Sequence, residues 1–360
     1  MKKKLLKKSV CIIAILCLLF GTFSACTTPK KDPAPAPAPS DPSAPAESGG
    51  TDAPATEEQT YDLKIAHPHP KGSGTDVGWE KFAELLEEYS DGTIKATIYP
   101  GGSLVSSAEG VEAVRSGTVD FAQISSSDLG PLIPAINMIE VPGSYRTDTP
   151  DFIEGLAPAM RDAMSPYGIY FLYPQGTASW FFSNIGHIKT FNDMKGLRVR
   201  AAGKYGALAV ERWGGTSITL SLGDLITAME RNTVDVVLGP GVGAVSLGWY
   251  ELEHYITVTD IITSMAILAM NQNLYDSMSP TQQDAVNKAG LEMAMIMYEL
   301  TAKEVVDGLA TMKEHGNDIY TFTPEENEAF LAPMDDLRAE VIAEFGEEAQ
   351  KLDDALKKFR

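Results

Sequence analysis

The chain has 360 residues, is 44% hydrophobic and carries a net charge of −20 at neutral pH. That much apolar material can build a sizeable core, and that much negative charge argues against nucleic acid and anionic lipid surfaces as partners. A small anionic ligand is not excluded, because one buried arginine can override a distant surface field.

The N-terminus opens on Lys2, Lys3, Lys4, Lys7 and Lys8, runs through an apolar stretch from Val10 to Phe20 and closes on Ser24-Ala25-Cys26. This is the order of a secretory signal, expected over residues 1–25, and its apolar part is too short to span a bilayer comfortably. A cysteine directly after two small residues resembles a bacterial lipobox, with Phe23 standing where a smaller aliphatic residue is commoner. Cys26 is therefore the expected lipid anchor and new N-terminus. Residues 26–60, with Pro33-Ala-Pro-Ala-Pro-Ala-Pro39 at their centre, read as an extended stalk that cannot bury apolar surface. The leader holds five of the 29 basic residues and no acid, so the mature chain would hold 24 basic against 49 acidic side chains, a net −25. Cys11 and Cys17 fall within the leader, which leaves Cys26 alone and no disulfide in the folded part. No later stretch is apolar for the ~18 residues that a membrane span needs.

The folded part is expected over 61–360. It starts with a strand at Leu63–Ala66 followed by His67-Pro68-His69. Trp79, Phe82, Leu85, Leu86 and Tyr89 have helical spacing, and Ser90-Asp91-Gly92 ends that helix before a strand at Thr93–Tyr99. Ala113-Val-Arg-Ser-Gly-Thr-Val-Asp120 comes next, then the strand Phe121-Ala-Gln-Ile124. The same order returns downstream: a helix through Leu208, Val210 and Trp213, a stop at Gly214-Gly215, a strand at Thr216–Leu220, and the echo Ala228-Met-Glu-Arg-Asn-Thr-Val-Asp235 ahead of Val236-Val-Leu238. Gly117 and Asn232 hold matching positions, and both tolerate the left-handed conformation that ends helices.

Two such halves predict an α/β, two-lobed, periplasmic-binding-protein-like fold with a cleft between the lobes. Lobe 1 is expected over about 61–183 plus part of the 273–315 region, and lobe 2 over about 184–272 plus the C-terminal segments. Ser279-Pro280-Thr281-Gln282 is a helix start, and the helix it opens runs to His315 before Gly316, long enough to brace both lobes. Its Met293, Met295 and Met297 read as core filler. A strand at Asp318–Phe322 and helices from Pro324 onward complete the chain.

Catalytic patterns are scarce. His67-Pro-His69 could face the cleft, yet the sequence nominates no further metal ligands beside it, so neither a metal nor a cofactor is expected. Gly239-Pro-Gly-Val-Gly-Ala244 with Asp260 downstream matches a dinucleotide fingerprint loosely. Pro240 removes an N–H that a phosphate loop would use, and a glycine-rich turn at the cleft is the better reading.

The segment Phe191-Asn-Asp-Met-Lys-Gly-Leu-Arg-Val-Arg200 resembles the signature of TRAP transporter solute-binding proteins of the dicarboxylate-binding, DctP-like type. Phe82-Ala-Glu-Leu-Leu-Glu-Glu, Tyr99-Pro-Gly-Gly-Ser-Leu104, both echoes and Tyr250-Glu-Leu-Glu-His-Tyr-Ile256 fall in that family's order. Each is weak alone, and the ordered set is specific. The resemblance implies capture of a small organic acid by lobe closure, delivery to TRAP membrane permease subunits, an extracytoplasmic location with membrane attachment through the lipid anchor, and no catalysis.

The resemblance also places Arg200 at the family's carboxylate anchor, where a planar fork of donors suits a carboxylate. Arg198 is read as a surface arginine turned to the opposite face of the strand. The remaining ligand positions implied are Trp180, in place of a second arginine, Ser125 and Ser126 in lobe 1, Gly239 after the second echo, and Leu222 where an aromatic is usual; His67 is added from its place in the polar loop after the first strand. One anion anchor with few polar partners suggests a monocarboxylate with an apolar or aromatic body stacked on Trp180. The alternatives are an exported enzyme using His67, His69 and cleft acids, or a ligand-sensing subunit of a membrane receptor.

Overall fold

A computed structural model describes residues 58–147, 150–176, 178–220 and 223–360. The leader, Cys26, most of the stalk and Leu222 lie outside the described residues.

Eleven strands are described: β1 (Tyr61–Ala66), β2 (Ile94–Tyr99), β3 (Phe121–Ser125), β4 (Ile169–Gln175), β5 (Ser179–Ser183), β6 (Arg198–Ala201), β7 (Thr216–Thr219), β8 (Val236–Pro240), β9 (Tyr255–Val258), β10 (Ala266–Asn271) and β11 (Asp318–Thr321). They form two sheets, ordered β2-β1-β3-β10-β4 and β7-β6-β8-β5-β9-β11. The sheets correspond strand for strand. β1 is parallel to β2 and β3 as β6 is to β7 and β8, while β10 and β5 run antiparallel to both their neighbours. β11 adds a parallel edge strand to the second sheet.

The sequence echo has a physical job in this pairing. Gly117 (φ 73°) and Asn232 (φ 51°) both turn the chain out of a helix in the left-handed conformation. Asp120 then donates its N–H to the Lys64 carbonyl at 3.0 Å, and its carboxylate accepts the Lys64 N–H at 2.7 Å. Asp235 does the same to Arg198, with 2.8 Å in each direction. Each aspartate thus locks the entry of one parallel strand to its neighbour, β1 in one lobe and β6 in the other.

Both crossings between sheets depart from the expected lobe limits. Ser179–Ser183 pairs within the second sheet, and Ala266–Asn271 pairs within the first, so each sheet takes one inner strand from beyond the other's territory. The crossings run side by side. Ser179 donates its N–H to the Ile261 carbonyl, Thr259 donates its hydroxyl to the Ser179 carbonyl at 2.6 Å, and the Ser179 and Thr263 hydroxyls lie 2.8 Å apart. β4 and β10 are buried along nearly their whole length, as strands covered on both faces are.

The long helix spans Pro280–His315, about 54 Å at ~1.5 Å per residue. Ser279 accepts the Gln282 N–H, Gln282 accepts the Ser279 N–H, both at 3.2 Å, and Gly316 (φ 100°) ends it. Its early turns lie on β4 and the helix Gly74–Tyr89 of the first lobe, where Met293 and Met297 are buried and Met295 partly so. Met312 enters the core of the second lobe. The C-terminal helices divide against expectation. Phe330 packs on Phe181 and Trp213 of the second lobe, but Met334–Phe345 and Glu347–Leu356 return to cover residues 134–140 of the first. No helix among the described residues is long and apolar enough to cross a membrane.

Candidate functional site

The C-terminal ends of the parallel strands of both sheets face one cavity of about 260 Å³. In open α/β sheets such ends are where ligands are received. The first lobe contributes the turn after β1, the start of the helix Gly74–Tyr89 and the ends of β3 and β4. The second contributes Arg200, the start of the helix Gly203–Arg212 and the ends of β7 and β8, while Glu304 reaches in from the long helix.

Arg200 is the cation of this wall and is 3% exposed. Nε and Nη2 donate to the Leu220 carbonyl at 3.1 and 2.8 Å, and Nη1 donates to the Leu238 carbonyl at 3.1 Å. Leu238 lies on β8 and Leu220 just past the end of β7, the two strands that flank β6, so backbone geometry alone aims the guanidinium. No carboxylate among the described residues is within ion-pair distance of it. Burial pushes its pKa down to about 10, so it remains charged at neutral pH. A desolvated cation without an anion is a place for an anion to bind.

The expected separation of Arg198 from Arg200 by strand alternation is corrected. Residues two apart share a face, and what separates them is position along the strand. Arg198 sits at the entry of β6, where Asp235 takes its Nε and Nη2 at 3.0 and 2.6 Å; Arg200 sits near the exit, at the cavity.

The other expected positions divide. Ser125 lines the cavity, its hydroxyl 2.7 Å from that of Ser127. Ser126 does not: it is fully buried, and its hydroxyl accepts the Met265 N–H at 3.1 Å, tying β3 to the crossing before β10. His67 is buried inside the first lobe with Nε2 3.1 Å from Asp76, and His69 is the histidine of the pair that reaches the wall. Burial, aided by the adjacent His67, pushes His69 down to about 4 and keeps it neutral. Trp180 is also corrected. Alternation along β5 turns Trp180 and Phe182 to the face that packs Trp249, and a side chain at Gly241 would overlap the Trp180 indole, so the ring is core and not a stacking platform. Gly239 lies beside the guanidinium rather than on the wall; a Cβ there would press on Trp249 at 2.9 Å. Leu222 lies outside the described residues, although nearby Leu220 both lines the cavity and holds Arg200.

Three polar groups of the wall are not named by the motifs. Gln123 is 6% exposed; its amide donates to the Gln175 side chain at 2.8 Å, while its own Oε1 has no partner. Gln123 stands inside the apolar run that follows the first echo, and a polar residue in a buried strand is a signal in itself. Asp128 and Glu304 are the acids of the wall. Glu304 sits mid-helix, where nothing local marks it. Behind the wall, Glu140 of the first lobe abuts Gly203 of the second. A Cβ at Gly203, whose φ is +65°, would overlap the Glu140 carboxylate. Neither Glu140 oxygen has a hydrogen-bond partner of good geometry; the Tyr205 N–H is near enough only for a weak electrostatic contact. Burial is the main reason its pKa is pushed up to about 8; nearby Asp128 adds to the rise, and the Tyr205 N–H opposes it.

Residues 65–344 match the model of the family described as bacterial extracellular solute-binding protein, family 7. This chain belongs to that family. Among relatives of the family 7 chain, the 2,3-diketo-L-gulonate-binding periplasmic protein YiaO of Escherichia coli K12 is 24% identical over 72% of it and 80% of the relative. The C4-dicarboxylate-binding protein DctB of Bacillus subtilis is 24% identical over 79% and 83%. A TRAP periplasmic solute-binding protein from Chromohalobacter salexigens, solved with D-glucuronate, superposes with a TM-score of 0.76 at 20% identity, covering 82% of this chain and 99% of that one. The ectoine-binding protein of the TeaABC TRAP transporter of Halomonas elongata gives 0.76 at 21% identity, covering 83% and 98%. The neighbours share the two-lobed fold. Within it, the family 7 protein described here presents a cavity with one unpaired guanidinium.

Proposed function

We propose that this family 7 protein captures a small organic acid outside the cytoplasmic membrane and delivers it to the membrane subunits of a TRAP transporter, tethered by a lipid on Cys26. The observation that carries the reading is Arg200: buried, fixed by two backbone carbonyls, charged, and without an anion beside it. A ligand carboxylate supplies that anion through paired N–H donors. Closing the lobes about the hydrogen-bonded crossings at Ser179 and Thr259–Thr263 then removes water from the pair and strengthens it.

One cationic anchor favours one carboxylate. Ile124, Leu220, Pro240 and Val242 offer apolar contact to the ligand's body, while Gln123 and Ser125 offer hydrogen bonds. The body is therefore partly apolar, and it does not depend on an aromatic stack with Trp180. The protein relatives and neighbours named for keto-gulonate, C4-dicarboxylates, glucuronate and ectoine agree in class with a small polar acid. The alternative of an enzyme using both histidines has little support, because His67 is engaged with Asp76 away from the wall.

The test is to denature the purified protein, identify the released small molecule by mass spectrometry, and titrate it back. Arg200→Ala should abolish the thermal stabilisation that this molecule gives. Retention of wild-type affinity by that variant overturns the reading.

A further inference from the structure

The cavity holds more charge than a carboxylate alone can answer. Asp128 and Glu304 line the same space as Arg200, and no cation among the described residues is within ion-pair distance of either. Asp128 makes no hydrogen bond among the described residues, and Glu304 accepts one, from the Gly74 N–H at 2.9 Å. Gln123 lines the same cavity, and its Oε1 is a buried acceptor with no donor. Arg200 does not neutralise these acids; it is tied to Leu220 and Leu238 instead. The wall thus has a positive point and, apart from it, two negative ones plus a vacant acceptor.

From this arrangement we infer that the ligand is a zwitterion: its carboxylate meets Arg200, and a cationic nitrogen group meets Asp128 and Glu304, with an N–H available to Gln123. The inference rests on the carrier reading above and adds the ligand's second charge. Three ligand types can be compared by what closure would leave unpaired. A dicarboxylate directs its second negative group toward a wall that is already acidic. A neutral polyol end leaves two carboxylates desolvated without a counter-charge, which is costly. A cationic nitrogen pairs with them and satisfies the Gln123 oxygen. The acids accordingly act by rejection as well as attraction, which is how specificity between similar acids is commonly built. Burial holds both carboxyls above their ordinary range, with the Gly74 N–H partly restraining Glu304, as expected of acids that lack a cationic neighbour.

The experiment is calorimetric titration of the full chain near neutral pH with two groups of probes. One group contains carboxylates with a cationic nitrogen: ectoine, L-proline and L-glutamine. The other contains acids without nitrogen: D-glucuronate, galactonate and succinate. A zwitterionic probe should bind at least roughly tenfold more tightly than any nitrogen-free acid. Asp128→Asn, and separately Glu304→Gln, should weaken that probe by about tenfold or more while leaving the nitrogen-free acids unchanged or tighter. Unliganded melting curves identify a variant that fails to fold, and the isosteric Asp128→Asn alone then decides. Silence from every zwitterion, or a zwitterion indifferent to a folded variant, overturns the inference. If only nitrogen-free acids bind, and do so through Arg200, the carrier reading survives without it. If no acid of either group binds, both fall.

Discussion

Replacing Arg200 with methionine separates what the guanidinium does for the ligand from what it does for the fold. Burial lowers its pKa to about 10, well below the ordinary guanidinium range. At ~1.4 kcal/mol per unit, the charged form at neutral pH works against the folded state by roughly 3 kcal/mol. The unfolded chain holds the proton longer from about pH 10 up to the ordinary guanidinium range, so this penalty is constant below that window and recedes within it. Three hydrogen bonds to Leu220 and Leu238, at ~1 kcal/mol each, offset it. Methionine removes both sides of that balance, so the unliganded protein should change by no more than ~2 kcal/mol in urea denaturation. Binding has no such compensation. Losing a desolvated, two-pronged contact to a carboxylate costs about 3–5 kcal/mol, a weakening of two to three orders of magnitude or more. Urea melts of the free protein, and calorimetry with the acid recovered from wild type, measure the two effects independently. An affinity within about threefold of wild type refutes the anchoring role, and a loss of more than ~5 kcal/mol from the unliganded fold refutes the cancellation.

Other consequences can be checked on the same preparation. Glu140 has a folded pKa raised to about 8 from 4.5, so the folded state keeps a proton that the unfolded chain releases. Its contribution is fully present below about pH 4.5 and is lost as pH rises through about 8; the melting-temperature difference between wild type and Glu140→Gln should shift across that window in the variant's favour, and a difference flat with pH would contradict this. Asp120→Ala and Asp235→Ala each leave a strand N–H without its acceptor and should each lower stability by about 1–2 kcal/mol in urea melts; one of them being neutral would break the equivalence of the two clamps. Gly203→Ala combines a left-handed backbone with overlap on Glu140 and should cost more than ~2 kcal/mol by the same assay, with a wild-type midpoint as the contrary result. Trp180→Phe should lower stability by about 1–3 kcal/mol yet leave acid affinity within a few fold by calorimetry, and a loss of binding at unchanged stability would return the ring to the site.

The repeat was legible because its markers are local. Gly117 and Asn232 are residues that end helices, and an aspartate three positions beyond each locks the next strand, so chain order alone conveyed two matched lobes. The long helix was equally plain, since Ser279, Pro280, Gln282 and Gly316 state its limits in short-range chemistry. The crossings were not, because β5 and β10 are buried on both faces and their apolar runs carry no sign of which sheet receives them. Arg200 was found through a motif. Trp180 and Ser126 were misassigned because proximity in sequence to a cleft does not fix which face a side chain takes. Glu304 becomes a neighbour of the cavity only when the long helix is laid across the first lobe, a tertiary fact with no local signature, whereas Asp128 stands three residues beyond Ser125 in the turn that ends β3.

The exchanged inner strands also set an order of assembly. β10 occupies an interior place in the first sheet yet is synthesised after β9, so that sheet stays divided between β3 and β4 until residue 271 has emerged. By then the strands of the second sheet up to β9 are already available. A polypeptide delivered N-terminus first cannot close its leading sheet until all but the edge strand of its trailing sheet has emerged, and a single cut in the second crossing leaves neither fragment with every strand of its sheet. The two lobes are built to arrive together.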